Sequence, residues 1–219
     1  SFRIRKIDCL DLPDKVYIRR EVELTPDQKQ AYKQMSQLAL ALLKEGKLSS
    51  TKNVLTQIMR LQQICLGHIT DDEGMVHELK SNRMKELLEV IEELQGKVII
   101  WATWTRDIRS IASALQDRYG IGTVARLHGE TPDNERQGIV ESFQDTSSKL
   151  RFLVGHPRTG GHGLTLTAGS FCIYYSNSYD LELRIQSEDR AHRIGQLNKV
   201  TYIDLISSGT VDEKIVKAL

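Results

Sequence analysis

Val98-Ile99-Ile100-Trp101 is an unbroken apolar run. A strand with one wet face alternates apolar and polar residues. A run without alternation predicts a strand buried on both faces, the habit of parallel sheets covered by helices. Its flanks agree. Met84, Leu87, Leu88, Ile91 and Leu94 recur at helical spacing until Gly96, and Ile108, Ile111, Ala112 and Leu115 do the same after the run. Further strands are expected at residues 123–127, 151–154, 171–175 and 200–206. Between them come a helix opened by Thr131-Pro132, carrying Ile139, Val140 and Phe143, and another around residues 181–194. Thr210 and Glu213 form a capping box that starts a terminal helix. From Ser81 onward the alternation predicts an α/β fold with a mostly parallel, doubly wound sheet. Ligands of such sheets sit outside the carboxyl ends of the strands, so the loops after Trp101, Leu127, Val154 and Tyr175 are the places to look for chemistry.

Residues 1–80 have a different texture and read mostly as helix. Thr25-Pro26-Asp27-Gln28 is a helix start with a Thr cap, Pro in the first turn and Gln three residues on. Ala31, Met35, Leu38 and Leu42 then repeat at helical spacing until Gly46. Leu55, Ile58, Leu61 and Cys65 mark one side of a second helix over residues 52–66, and Gly67 to Gly74 reads as a loop. Two domains are therefore expected: a mainly helical segment over 1–80 and the α/β lobe over 81–219.

Bulk properties restrict the function less. The 219 residues suffice for a sizeable core. The net charge of +1 without a charge run argues neither for nor against nucleic acid. The three cysteines, Cys9, Cys65 and Cys172, are far apart, show no metal-ligand spacing and have apolar neighbours, which reads as free thiols in a reducing compartment. No apolar run approaches the ~20 residues that span a membrane, and Ser1-Phe2-Arg3-Ile4-Arg5 is not a signal peptide. A soluble intracellular protein is expected, and the strand-like start points to a piece of something longer.

Two stretches carry candidate chemistry. Thr159-Gly160-Gly161-His162-Gly163-Leu164 follows the strand ending at Val154, and its glycines allow backbone N–H groups to approach a phosphate. Alone, such a Gly-rich stretch is more often just a turn. No Lys-Ser or Lys-Thr follows it, so it is not a Walker A loop, and its spacing does not match the dinucleotide fingerprint. The second stretch runs from Gln186 through Asp189-Arg190-Ala191-His192-Arg193-Ile194-Gly195-Gln196. Arg190 and Arg193, three apart, are expected on one helical face, with Arg184 and His192 adding basic character. By themselves two arginines can form a solvated face. Aimed into a cleft, they can stabilise charge on a transferring phosphoryl group.

Residues 189–196 are similar, letter for letter, to motif VI of the Swi/Snf-like ATPases of helicase superfamily two. Arg158 to Leu166 resembles that family's motif V, Val98 to Thr105 its motif IV, and Arg126-Leu127-His128-Gly129 the short motif that follows. Leu24 to Tyr32 and Gln63-Ile64-Cys65-Leu66-Gly67-His68 resemble the segment preceding the second lobe. The resemblance covers nearly the whole chain in order. It implies a three-layer, RecA-like second lobe of a motor in which two lobes close on ATP and duplex DNA crosses both.

The resemblance further implies roles. Arg193 would be the main arginine finger and Arg190 its partner or brace. Gln186 and Asp189 would belong to the ATP site, and Gly161 and Gly163 would let motif V pass near the nucleotide. The first lobe, elsewhere in the same polypeptide, would carry the Walker A lysine and hold Mg2+, so this chain alone is expected not to turn over ATP. Thr103, Trp104, Arg126, His128, Arg158 and Thr159 are candidates for sequence-indifferent contacts to DNA phosphates. For Trp104, His128 and Arg126 the alternatives are packing, a loop hydrogen bond and a surface ion pair. No metal site is expected in the chain, His162 included, because no ligand cluster accompanies it.

The chain departs from the family pattern in places. His156-Pro157 replaces the usual Ser-Thr, Thr165 the usual Asn, and His162 the usual aliphatic residue, which puts the details of coupling in question. The compact form points to a bacterial or phage-type member, cytoplasmic or nucleoid-associated; a eukaryotic member would be nuclear. The rival reading is a stand-alone module that binds DNA or protein without ATP turnover. The intact arginine pair argues against it.

Overall fold

A computed structural model describes residues 12–44, 51–71, 73–129, 131–159 and 164–219. Its elements in order are β1 (Lys15–Glu21), α1 (Pro26–Lys44), α2 (Thr51–Leu66), β2 (His68–Thr70), β3 (Val76–Glu78), α3 (Arg83–Glu93), β4 (Lys97–Trp101), α4 (Thr105–Tyr119), β5 (Val124–Leu127), α5 (Asp133–Gln144), β6 (Phe152–Gly155), β7 (Gly169–Tyr174), α6 (Leu181–Ala191), β8 (Val200–Ile206) and α7 (Val211–Ala218). The chain divides into two compact units. The first comprises residues 1–20, 91–204 and 219, and the second 21–90 and 205–218. The boundary expected near residue 80 falls inside the second unit, which also takes in the terminal helix.

The main sheet has the order β1-β8-β7-β4-β6-β5. The pairings β5–β6, β6–β4, β4–β7 and β7–β8 are all parallel. Val98, Ile99, Ile100 and Trp101 of β4 are completely buried, as the unalternating run requires. Fully burying such a side chain contributes about 1.5–3 kcal/mol. The connection leaving β4 crosses to the β5 edge, and the one leaving β6 passes over β4 to β7. The strand order therefore switches around β4, and the crevice of a doubly wound sheet belongs at the carboxyl ends of β4, β6 and β7. Gly155 closes β6 there. A Cβ on it would lie 2.6 Å from the Leu127 carbonyl oxygen, so only glycine lets these two strand ends approach.

Two long cations pin helix ends to this sheet. The Lys97 ammonium donates to the carbonyls of Phe143 (2.6 Å) and Asp145 (2.7 Å), closing the end of α5. Burial, partly offset by Asp145, lowers the Lys97 pKa. The Arg151 guanidinium donates to the Leu94 and Gly96 carbonyls beyond α3 and lies against the rings of Tyr119 and Phe152. Orphan carbonyls at a helix end are thus satisfied by side chains.

In the second unit the capping box forms as the sequence predicts. Thr25 N–H donates to Gln28 Oε1 (3.1 Å), and Gln28 N–H donates to Thr25 Oγ1 (3.3 Å). Gln28 also reaches inward, donating through Nε2 to the Ile64 carbonyl at the end of α2. The second box is altered. Glu213 accepts from Gly209 N–H, while Thr210 Oγ1 accepts from Asp212 N–H. The expected loop at 67–74 is instead part of an antiparallel hairpin, β2–β3, pairing His68 with Glu78, Ile69 with His77 and Thr70 with Val76. Asp71 secures its turn by accepting from Met75 N–H and from the His77 ring. The terminal helix joins this unit because the fully buried Arg83 pairs with Asp212 and donates to Ser207 and the Leu205 carbonyl. A buried ion pair between residues far apart in sequence leaves no local pattern that the sequence could show.

β1 was not among the expected strands. Its side chains are mostly exposed, so Lys15–Glu21 lacks the apolar alternation that would mark it.

Candidate functional site

The residues singled out in the sequence gather on the loops that leave β4, β5 and β6 and on α6. After β4, Thr103 N–H donates to Ser176 Oγ (2.9 Å) and the two hydroxyls lie 2.8 Å apart, joining this loop to the one after β7. Trp104 is the half-buried N-cap of α4. After β5, His128 is buried and its N–H donates to Thr131 Oγ1 (3.1 Å), while Arg126 is exposed on the strand. After β6, Arg158 is 72% exposed and 3.4 Å from Asp180, the N-cap residue of α6.

Thr159 faces inward. Its Oγ1 lies 3.0 Å from the Leu127 carbonyl and 2.7 Å from the His156 carbonyl. Its hydroxyl is therefore engaged within the loop. His156 shapes the same turn, its Nδ1 accepting from Arg158 N–H (2.9 Å). Burial and the nearby Arg158 and Arg190 charges lower the His156 pKa, favouring the neutral ring. Gly161, His162 and Gly163 lie outside the described residues.

α6 ends three residues earlier than the sequence predicts. Its last residue is Ala191, and His192 is the C-cap, donating its N–H to the Glu188 carbonyl. Two devices stop the helix. Leu166 N–H donates to the Arg190 carbonyl, and Gln196 Nε2 donates to the carbonyls of Ala191, Thr167 and Gly169. Gly195 then turns the chain at φ +98°, a left-handed conformation suited to glycine. Arg190 and Arg193 therefore do not share a helical face.

The two arginines have different surroundings. Arg190 is buried, donates from Nη1 to the Thr159 carbonyl (2.9 Å) and sits 5.2 Å from the Trp101 ring. Burial lowers its pKa. Arg193 is exposed in the turn beyond the helix. Gln186 is exposed on the outer side of α6, bonded to Glu182, and Asp189 is half-buried with Lys15 at 3.9 Å.

Arg184, expected to add basic character, does not present its charge to solvent. It is buried over the Tyr174 ring at 3.6 Å and bonded to Asp204, Asn177 and Glu188. Burial alone would lower its pKa; the hydrogen bonds it donates to Asp204 and Glu188, with their charges, outweigh that and keep it charged. Burial likewise raises the Glu188 carboxyl, but hydrogen bonds from Arg184, Lys15 and Tyr17 overcome the effect and hold it below the usual glutamate range. Sequence reasoning missed this cluster. The spacing of Arg184 and Glu188 was a signal for an ion pair, whereas Asp204, Lys15 and Tyr17 had none.

Among the described residues no group of three or more His, Cys, Asp or Glu side chains could hold a metal ion, and no helix is long and apolar enough to cross a membrane.

A parallel sheet with its order switching at β4, ringed at the carboxyl ends by the motif-bearing loops, defines a RecA-like domain of the P-loop NTPase class. Residues 80–195 match the helicase conserved C-terminal domain family. Over 149 residues the chain is 34% identical to Protein CHROMATIN REMODELING 19 of Arabidopsis thaliana, covering 68% of this chain and 19% of that protein. It is 28% identical to the human SWI/SNF-related matrix-associated actin-dependent regulator of chromatin subfamily A member 1, covering 94% and 21%. The chain thus spans about a fifth of the length of these relatives. Among solved structures it resembles the Sulfolobus solfataricus SWI2/SNF2 ATPase core in complex with dsDNA, with a TM-score of 0.74 and 28% identity over 97% of this chain and 45% of that one. The chain belongs to the helicase C-terminal domain family and has the fold of a RecA-like lobe of the kind found in SWI2/SNF2 ATPases.

Proposed function

We propose that this lobe supplies the arginine finger and part of the DNA track of an ATP-dependent translocase on duplex DNA, the other half of the ATP site lying on a first lobe of the same polypeptide. The observation that carries the reading is the divergence of the two motif VI arginines. Arg190 is anchored to the Thr159 carbonyl and braces the loop of motif V. Arg193 stands exposed just past the end of α6, where a partner lobe can reach it. A guanidinium placed against a transferring phosphoryl group neutralises charge that develops only in the transition state. Asp189 and Gln186, on the same stretch, would line the approach to the nucleotide, and Gly161 and Gly163 would let motif V come near it.

Mg2+ would be held by the first lobe, as the resemblance to the two-lobe ATPases implies. The DNA track would use the exposed Arg126 and Arg158 with Thr103 and Trp104. His128 and Thr159, both buried, would hold the loops. Phosphate contacts of this kind carry no sequence preference and weaken steeply with salt.

The test is ATP turnover by the two-lobe polypeptide, with and without duplex DNA, for wild type and Arg193→Ala. Stimulation by DNA and a loss of ~10³-fold or more on substitution are expected. A wild type inert with every nucleic acid, or a silent substitution, would leave a DNA- or protein-binding module in its place.

A further inference from the structure

Three side chains around the arginine-bearing turn are held by one short segment far away in sequence. The Lys15 ammonium lies 2.9 Å from Glu188 Oε2, and the Tyr17 hydroxyl donates to the same oxygen at 2.8 Å. Lys15 also lies 3.9 Å from Asp189. On the other side of Arg190, His192 Nε2 donates to the Pro13 carbonyl at 2.7 Å. A carbonyl only accepts, so this ring nitrogen carries the proton.

The segment is itself seated firmly. Tyr17 stacks on Tyr202 of β8 with ring centroids 5.3 Å apart, and Lys15 lies 5.6 Å from the centre of the same ring. The Tyr202 hydroxyl donates to the Glu188 carbonyl at 3.0 Å. Glu188 therefore receives bonds at both its side chain and its backbone from β1 and the ring on which β1 rests. Behind it, Arg184 fixes the same carboxylate to Asp204 and Asn177.

We propose that residues 13–17 form a positioning strap that sets the placement of the Glu188–Arg193 turn, and that Glu188 and His192 are the positioning residues through which it acts. Among the described residues of this unit, the strap lies at the amino-terminal end. Displacement of the chain on its amino-terminal side would be delivered by three short links, two to Glu188 and one to His192, immediately before Arg193. This role rests on the motor reading above, because there the preceding chain leads to the first lobe. Movement of one lobe would then reset the finger of the other. Geometry of this kind matters steeply, since a misplacement of ~1 Å at a reacting centre can cost ~10²-fold in rate.

The test uses the two-lobe polypeptide. Lys15→Met and Tyr17→Phe, which touch no nucleotide, are expected to lower DNA-stimulated kcat by roughly 10- to 100-fold while KM for ATP changes less than about twofold. Lys15→Arg should restore most of the rate. Because Lys15 acts through Glu188, Lys15→Met combined with Glu188→Gln should cost little more than Glu188→Gln alone. Amide hydrogen exchange over residues 188–196 should quicken in Lys15→Met before any change elsewhere in the sheet. Unchanged exchange in this stretch, or a lowered melting temperature with wild-type kcat, overturns the strap. A wild type without ATP turnover overturns the motor reading and the strap's part in turnover. The exchange result still decides separately whether the strap places the turn.

Discussion

The stretch from Leu181 to Gln196 uses arginine in two opposite ways. In its first half, Arg184 is buried, matched by Asp204 and Glu188 and laid flat on Tyr174. In its second half, past the end of α6, Arg193 is left exposed. Arg190 lies between them in environment as well as in sequence, buried and bonded to the Thr159 backbone carbonyl. A charge already neutralised inside the protein can brace a helix but has little left to give a ligand. A charge held at the surface does the reverse. The spacing of the arginines cannot distinguish these roles; the burial of their partners does.

Stability measurements break or sharpen this contrast, and the largest effect belongs to Arg184. Arg184→Met leaves Asp204 and Glu188 buried without their guanidinium, and loss of one partner of a buried pair costs about 3–5 kcal/mol. Chemical denaturation of the variant should show a lower midpoint with an unchanged slope. A loss below about 1 kcal/mol, the worth of a surface pair, would mean that the cluster is far more hydrated than its burial indicates. Next comes Arg190→Met, which keeps much of the packing on Trp101 but strips the Thr159 carbonyl of its donor. A buried acceptor left unmet costs about 1–3 kcal/mol, and the same denaturation series reads it.

Acid provides a subtler probe. The folded Glu188 carboxyl has a depressed pKa, so its contribution is complete above the ordinary glutamate value and is lost as the pH falls through the depressed one. His156 adds in the same direction at higher pH. Its folded pKa is lowered, so its contribution is full above the ordinary histidine value and declines as the pH drops below it. Stability measured from neutral pH downward should therefore fall in two stages. Glu188→Gln should shrink the more acidic stage, to which Asp71 and Asp145 also contribute, and His156→Gln should remove the other. A profile identical to wild type in either variant would show that the corresponding group does not titrate as its surroundings require.

Much of the frame was legible in the sequence because it rests on local pattern. The run Val98 to Trp101, the Thr25–Gln28 box and the helical spacing of α4 each express a physical rule within a few residues. What stayed hidden depends on partners distant in the chain. Arg184 reads as a solvent-facing cation until Asp204, twenty residues on, is seen beside it. α6 reads as continuous to Ile194 until the Gln196 side chain is seen bonded to the carbonyl of Ala191. β1 shows no alternation because most of its side chains are exposed, and its ties to Glu188 run across more than 170 residues. In the candidate site, motif VI was legible as a stretch. Which arginine anchors and which stands exposed was not.

The smallest expected effect on stability is the most informative about function. Arg193→Ala removes an exposed side chain, and surface charge interactions are worth about 0–1 kcal/mol, so the denaturation midpoint should scarcely move. If the midpoint holds and the same substitution abolishes DNA-stimulated turnover, the residue serves turnover rather than the stability of this lobe. If instead Arg193→Ala destabilises as much as Arg190→Met, the turn after α6 is held by its own arginine. The contrast between a bracing arginine and a reaching one would then collapse, leaving two braces and no finger.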